Sequence, residues 1–232
     1  MTEELSEGEF LRAYDPNQFA RPCLAADAIV FHFADGQINI LLIQRRNHPF
    51  RGHWVFPGGF VEVYEEPVEA ARRELREETG LALDDLFELG AFGRPDRDPR
   101  YHVVSVAFIG IAAAGKQDLQ PDDDAQNAAW YRVSKAPPLG FDHEDILDAA
   151  LTRLRREMVR PSFALRFLGR SFTGADIIAL YQQVFGRKLD AQRFLRRLSS
   201  VCTVKPTLTA PVRMSRQKMR RFEAHLGQWW LV

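Results

Sequence analysis

Twenty-three residues, Gly59 to Leu81, constrain this chain more than any other stretch. They read GFVEVYEEPVEAARRELREETGL. A glycine pair follows Phe56-Pro57, a short acidic loop comes next, and then a helical pattern begins. With about 100° of rotation per residue, Glu74, Glu77 and Glu78 fall on one face of that helix. Ala70, Ala71 and Leu75 give the other face something to bury. Gly80 stops the helix. Three carboxylates on one face repel each other unless a cation sits among them. Hard divalent cations prefer such oxygens, above all when a substrate phosphate completes the shell. A plain surface helix is the competing reading, because Glu69–Arg73 and Arg73–Glu77 both have i,i+4 spacing.

The wider pattern decides between the two. Gly59, Glu65, Arg73-Glu74-Leu75, Glu77-Glu78 and Gly80-Leu81 match every defined position of the Nudix box, so the chain resembles the Nudix hydrolase superfamily. The resemblance implies an α/β fold, an α/β/α sandwich with a mixed sheet. It implies hydrolysis of a nucleoside diphosphate linked to another moiety, with Mg²⁺ or Mn²⁺. It makes Arg73, Glu74, Glu77 and Glu78 catalytic and places metal on Glu74, Glu77, Glu78 and Gly59. The general base is then Glu74 or a carboxylate of the acidic loop Pro121-Asp122-Asp123-Asp124.

Formal net charge is zero, but its distribution is uneven. Residues 1–150 hold 14 Lys and Arg against 27 Asp and Glu, a net of −13; residues 151–232 hold 17 against 4, a net of +13. A basic block suits a polyanion such as nucleic acid, or else docks on the acidic block of its own chain. The two cysteines, Cys23 and Cys202, lack metal-ligand spacing and read as buried apolar residues in a reducing cytoplasm. An acidic N-terminus excludes a signal peptide. The longest apolar run, Val103 to Ala114, is too short to span a bilayer.

In order, residues 1–20 read as a tail with one apolar stretch at Phe10–Tyr14. Leu24–Phe33 and Ile38–Gln44 read as strands around an Asp35-Gly36 hairpin turn. Leu83–Phe92, Val103–Ala113 and Ala128–Val133 read as further strands. A polar loop, Gly93 to Arg100, offers Arg94, Arg97 and Arg100 to phosphates, with Tyr101 and His102 as stacking surfaces; its arginines pair alternatively with Asp96 and Asp98. Pro95, about fifteen residues past the box, resembles the ADP-ribose pyrophosphatase subgroup. Arg45, Arg94, Pro95, Arg97, Arg100 and Tyr101 are therefore the expected substrate contacts. Asp142 is the expected N-cap of a helix from His143 to Val159, with His143 a capping or core residue.

Beyond Pro161, Thr173 and Asp176 open a helix over Gly174–Phe185, and Leu189-Asp190 caps a second over Ala191–Leu198. Helix, turn and helix form a helix-turn-helix pattern, with Val201–Thr209 as a wing. Phe194, Leu195 and Leu198 face inward. Gln192, Arg193, Arg196, Arg197 and Lys205 are the expected DNA contacts. The order of parts resembles the Nudix-related transcriptional regulators of NAD and sugar metabolism. That resemblance implies a homodimer with a winged-helix domain, bound to duplex DNA and released by an ADP-ribose-like ligand. The box here is complete, unlike the eroded boxes common in such regulators, and Lys205–Pro211 lacks the glycines of their wings. The expected divisions are a tail (1–20), a Nudix domain (21–142), a linker helix (143–160) and a basic winged-helix-like domain (161–232). No membrane contact is expected. An enzyme and a ligand-sensing DNA-binding protein are the two functions to separate; a C-terminal unit that only dimerises is the third.

Overall fold

The computed structural model describes residues 6–113, 119, 125–158, 160–169, 171–201, 209 and 212–213. Its elements are α1 (Glu7–Ala13), β1 (Cys23–Ala34), β2 (Gln37–Arg45), β3 (Trp54–Val55), β4 (Gly58–Phe60), α2 (Pro67–Thr79), β5 (Leu86–Phe92), β6 (Val103–Ala112), β7 (Ala125–Arg132), α3 (His143–Glu157), α4 (Pro161–Leu168), β8 (Ser171–Phe172), α5 (Gly174–Phe185), α6 (Ala191–Val201) and β9 (Val212–Arg213). Among the described residues no helix is long and apolar enough to cross a membrane.

Asp35 and Gly36 both have positive φ, 52° and 69°, and turn β1 back into β2. Two adjacent left-handed residues make a turn that matches the twist of the strands it joins. Beyond the hairpin end the two strands part. β1 pairs β2 only over Phe31–Ala34, and β2 pairs β1 only over Gln37–Ile40. On the same side further along, β4 pairs β1 at Ala25–Asp27 and β3 pairs β2 at Ile43–Gln44. The other edges of β1 and β2 are taken by parallel β6 and antiparallel β7, and β5 joins β6. The split in this mixed sheet opens the cleft that holds the candidate site.

The side-chain period of two sorts the core onto two faces. Ala26, Ala28 and Val30 of β1 meet Ala70, Ala71 and Leu75 of α2. Ile29, Phe31 and Phe33 point the other way, into a cluster with Ile146, Ala150 and Leu154 of α3, Phe167 of α4, Ile177 and Leu180 of α5, and Phe194 of α6. This is the expected α/β/α sandwich, and the segment expected as a linker is packed on the sheet as part of its second helical layer. The basic segment continues the same core rather than standing apart from it. Arg166 also pairs with Asp85 at 2.7 Å.

Several expectations change. Leu83 precedes β5, which starts at Leu86. Residues 7–13 are a helix, opened by a reciprocal Ser6–Glu9 capping box, yet Phe10, Leu11 and Tyr14 stay exposed. Cys23 is exposed rather than buried, because it lies at the start of β1 outside the core; Cys202 lies outside the described residues. Val201 ends α6 instead of opening a wing, and residues 202–208 lie outside the described residues. The described strand pair here is β8 with β9, Ser171 opposite Arg213 and Phe172 opposite Val212. Helix α5 is as expected, with the Thr173–Asp176 capping box formed.

Candidate active site

A cavity of about 340 Å³ fills the split between β1 and β2. Glu74 and Glu78, with Gly58 and Gly59, line it together with Arg45, Arg97, Arg100, Asp27, Asp98, Phe141 and His143. Both glycines let another group approach closely, Gly58 a backbone and Gly59 a side chain. A Cβ on Gly59 would overlap the Glu74 carboxylate, and one on Gly58 would overlap the Asp27 carboxylate and lie 2.5 Å from the Ala26 carbonyl.

The box arginine fans across its neighbours. Arg73 donates from Nε and Nη2 to the two Glu65 oxygens at 2.9 and 3.0 Å, from Nη1 to Glu74 at 2.7 Å and Glu77 at 3.4 Å, and from Nη2 to the Phe60 carbonyl at 3.1 Å. Hydrogen bonds donated to Glu65 foremost hold its pKa above the ordinary arginine value. Glu78 turns inward and accepts from the Gly58 amide at 2.9 Å. Burial, with the nearby charges of Glu74 and Asp27, pushes Glu78 up to about 8. Burial likewise raises Glu74, against the pull of Arg73. Glu77 is half-exposed and does not border the cavity. Among the described residues no group of three or more His, Cys, Asp or Glu side chains is already arranged to hold a metal ion.

Burial lowers the Arg45 pKa, and Arg45 lies over the Phe141 ring with its guanidinium carbon 5.0 Å from the centroid. Arg100 is bound to Asp98 through Nη2 at 2.7 Å, which raises its pKa. Burial pushes Asp98 up, but the Arg100 side chain and backbone outweigh it and its pKa falls. Arg97 is buried and bound through two nitrogens to Asp142, at 2.9 and 2.7 Å. Asp142 therefore sits at the N-cap position of α3 but makes no side-chain cap, because its carboxylate belongs to Arg97. The other expected contacts separate from the cavity. Arg94 pairs with Asp96 and Asp145, Tyr101 is exposed, and neither they nor Pro95 borders it. His102 Nε2 is 3.1 Å from the Gly93 carbonyl.

Part of the cavity lining is a buried polar cluster that sequence reading did not find. Ser105 Oγ donates to Asp27, and the Phe56 amide donates to His143 Nδ1 at 3.0 Å. His143 Nε2 is 3.9 Å from Asp27. Burial lowers the His143 pKa. Asp27 and His32 are the polar residues of the apolar run Leu24–Phe33, and Asp27 was the available signal.

On α6, Gln192, Arg193 and Arg196 are exposed while Phe194 is buried. The side chains of Arg197 and Leu198, together with Lys205 and the acidic residues Asp122–Asp124, lie outside the described residues.

The NUDIX domain family model matches residues 22–150. The chain belongs to the NUDIX family. Its match ends within α3, so the basic segment lies beyond it. Over 208 residues the chain is 30% identical to the ADPR responsive transcriptional repressor NtrR of Acinetobacter baylyi, covering 87% of this chain and 82% of that protein. Over 129 residues it is 43% identical to the ADP-ribose pyrophosphatase of Methanocaldococcus jannaschii, covering 56% of this chain and 73% of that one. The crystal structure of Shewanella oneidensis NrtR complexed with a 27mer DNA is similar with a TM-score of 0.65 at 25% identity, covering 85% of this chain and 95% of that one.

Proposed function

We propose that this protein is a Mg²⁺- or Mn²⁺-dependent hydrolase of ADP-ribose or a related nucleoside diphosphate sugar, joined to a winged-helix unit that binds duplex DNA as a homodimer. The observation that carries the first part is a cavity lined both by the carboxylates of Glu74 and Glu78 and by the guanidiniums of Arg45, Arg97 and Arg100. A diphosphate meets Arg45, Arg97 and Arg100 as planar donors. The facing carboxylates fit a cation. Burial first, and neighbouring carboxylate charge second, push Glu74 and Glu78 toward their neutral forms, and a divalent ion would offset both. Mg²⁺ takes one or two carboxylates plus substrate phosphates and keeps several waters, so two inward glutamates suffice. Glu74 and Glu78 would hold the ion, with Glu77 and the Gly59 carbonyl as further donors. When bound, such an ion polarises phosphoryl oxygens and lowers the pKa of an attacking water. Arg73 fixes Glu74 against the glycine pair and stabilises its ionised form. Glu74, or a carboxylate within 121–124, takes the proton from the water.

The DNA-binding part is supported by the exposed Arg193 and Arg196 on α6 and by similarity to a repressor over 87% of this chain. The same similarity favours a second reading, in which the NUDIX domain chiefly senses an ADP-ribose-like ligand and catalysis is vestigial or absent. Purified protein incubated with ADP-ribose and Mg²⁺ should release AMP. No product across a panel of nucleoside diphosphate sugars, with ADP-ribose still bound, would decide for the sensor.

A further inference from the structure

We infer that the Arg97–Asp142 ion pair is a latch through which a phosphate-bearing ligand in the cavity moves helix α3, with Asp142 as a positioning residue. This rests on the reading of the cavity as a nucleoside diphosphate site and of the basic segment as a DNA-binding unit.

Arg97 borders the cavity and Asp142 does not. Their paired hydrogen bonds are both buried, and Asp142 is the N-cap residue of α3. One guanidinium thus faces a ligand on one side and holds the start of a helix on the other. The next residue, His143, accepts from the Phe56 amide two residues before Gly58, whose own amide binds Glu78. The cap and the first position of α3 are therefore both tied to the cavity lining.

An N-cap carboxylate ordinarily accepts from the second or third amide of its helix. Asp142 is withheld from those amides by Arg97. Phosphate oxygens compete with a carboxylate for the same planar donors. Once Arg97 turns to a phosphate, an unpaired buried carboxylate is costly, and the nearest donors are the amides of Glu144 and Asp145. Asp142 then has two discrete positions, on Arg97 or on its own helix. The far end of α3 meets the basic segment: Arg155 Nε donates to the Val184 carbonyl at 3.1 Å, at the end of α5 and just before the turn into α6. Between the two ends, Ile146, Ala150 and Leu154 share a core with Ile177, Leu180 and Phe194. A helix gripped at both ends carries a displacement of its first turn to the DNA-facing helix, as a two-state element that both sites bias.

The test uses the full chain with ADP-ribose in EDTA, which prevents turnover, and reads three quantities: ligand affinity, hydrogen exchange at Glu144 and Asp145, and duplex affinity. In the wild type the ligand should slow exchange at those two amides by about tenfold and weaken duplex binding by about 5–150-fold. Asp142→Asn caps the helix without needing release from Arg97. It should slow exchange before ligand is added, bind ADP-ribose more tightly, and hold the duplex response within about twofold. A merely structural defect would weaken ligand binding instead. Because Asp142→Asn leaves Arg97 without its partner, Arg155→Met at the exposed far end is the second variant. It should keep the exchange response and lose the duplex response. ADP-ribose that binds without changing exchange at Glu144 and Asp145 overturns the latch and leaves the functional reading standing. An exchange response in a protein that binds no duplex keeps the latch and removes the DNA-binding reading; an exchange response with unchanged duplex affinity overturns the coupling to α6. No binding at millimolar ADP-ribose overturns both.

Discussion

Two charged helices of this molecule, α2 and α6, treat charge in opposite ways. On α2 the charges are committed. Arg73 serves Glu65, Glu74, Glu77 and the Phe60 carbonyl, and Glu78 is buried on the Gly58 amide. On α6, Arg193 and Arg196 stand exposed on a helix whose buried face rests on Phe194. Fixed, desolvated charge suits chemistry, because preorganised groups need no rearrangement when charge develops. Exposed charge suits a polyanion, whose affinity comes from releasing counterions along an accessible surface. The zero net charge of the chain conceals two different physical uses of the same residue types.

The sharpest way to break this contrast is Glu78→Gln. Losing a ligand that stabilises charge by several kcal/mol should cut the rate of ADP-ribose hydrolysis by about 10³-fold. The fold should survive, since an amide can still accept from Gly58. AMP release and thermal unfolding, measured together, check both halves; a stable variant that retains full rate would remove Glu78 from the chemistry.

The glycine pair separates function from stability next. On Gly59→Ala the new methyl meets only the movable end of Glu74, so the protein should fold, while displacement of that carboxylate should cost about 10²-fold in rate. On Gly58→Ala the methyl meets the Ala26 backbone, which cannot yield, so unfolding should occur at a temperature lower by several degrees, for a cost of about 1–3 kcal/mol. Equal melting temperatures for the two variants would overturn the distinction.

Arg193→Ala should weaken duplex binding by about 1–3 kcal/mol and relax sequence preference, if Arg193 reads a base edge near the start of α6. Titrations at several salt concentrations supply the check. Loss of affinity with unchanged preference among sequences would assign Arg193 to phosphate instead.

What was legible in the sequence was local. The box, the Asp35-Gly36 turn and the Thr173–Asp176 cap are each decided within a few residues, and each stands where expected. The floor of the cavity was not legible, because its partners are far apart in the chain. Asp27 meets Ser105, Phe56 meets His143, and Arg97 meets Asp142, each through the tertiary fold. Asp142 shows the cost of local reasoning most directly: by sequence it is a helix cap, and by structure its carboxylate is held by an arginine 45 residues away. The loop arginines divided for the same reason. Arg94 and Arg100 found aspartates two residues off, whereas Arg97 turned inward.

The smallest expected effect is a pH dependence of stability at His143. Its imidazole is fully enclosed, and burial lowers its pKa below the ordinary value; the charges of Asp27 and Asp142 pull it up, and those of Arg97 and Arg45 push it down. The unfolded chain takes up a proton on this residue near its ordinary value of about 6.5, while the folded chain resists. The unfolded state then binds more protons between the two pKa values, so stability rises with pH across that window and falls as pH drops below about 6.5. One proton limits the slope to about 1.4 kcal/mol per pH unit. Below the folded pKa both states are protonated and the loss stops growing. His143→Gln keeps a side-chain oxygen that can accept from the Phe56 amide but cannot titrate. Its stability should be lower at neutral pH and flatter between pH 7 and 5 than that of the wild type, as read from urea unfolding midpoints. Parallel curves for the two proteins would mean that His143 contributes nothing to the acid sensitivity of the fold.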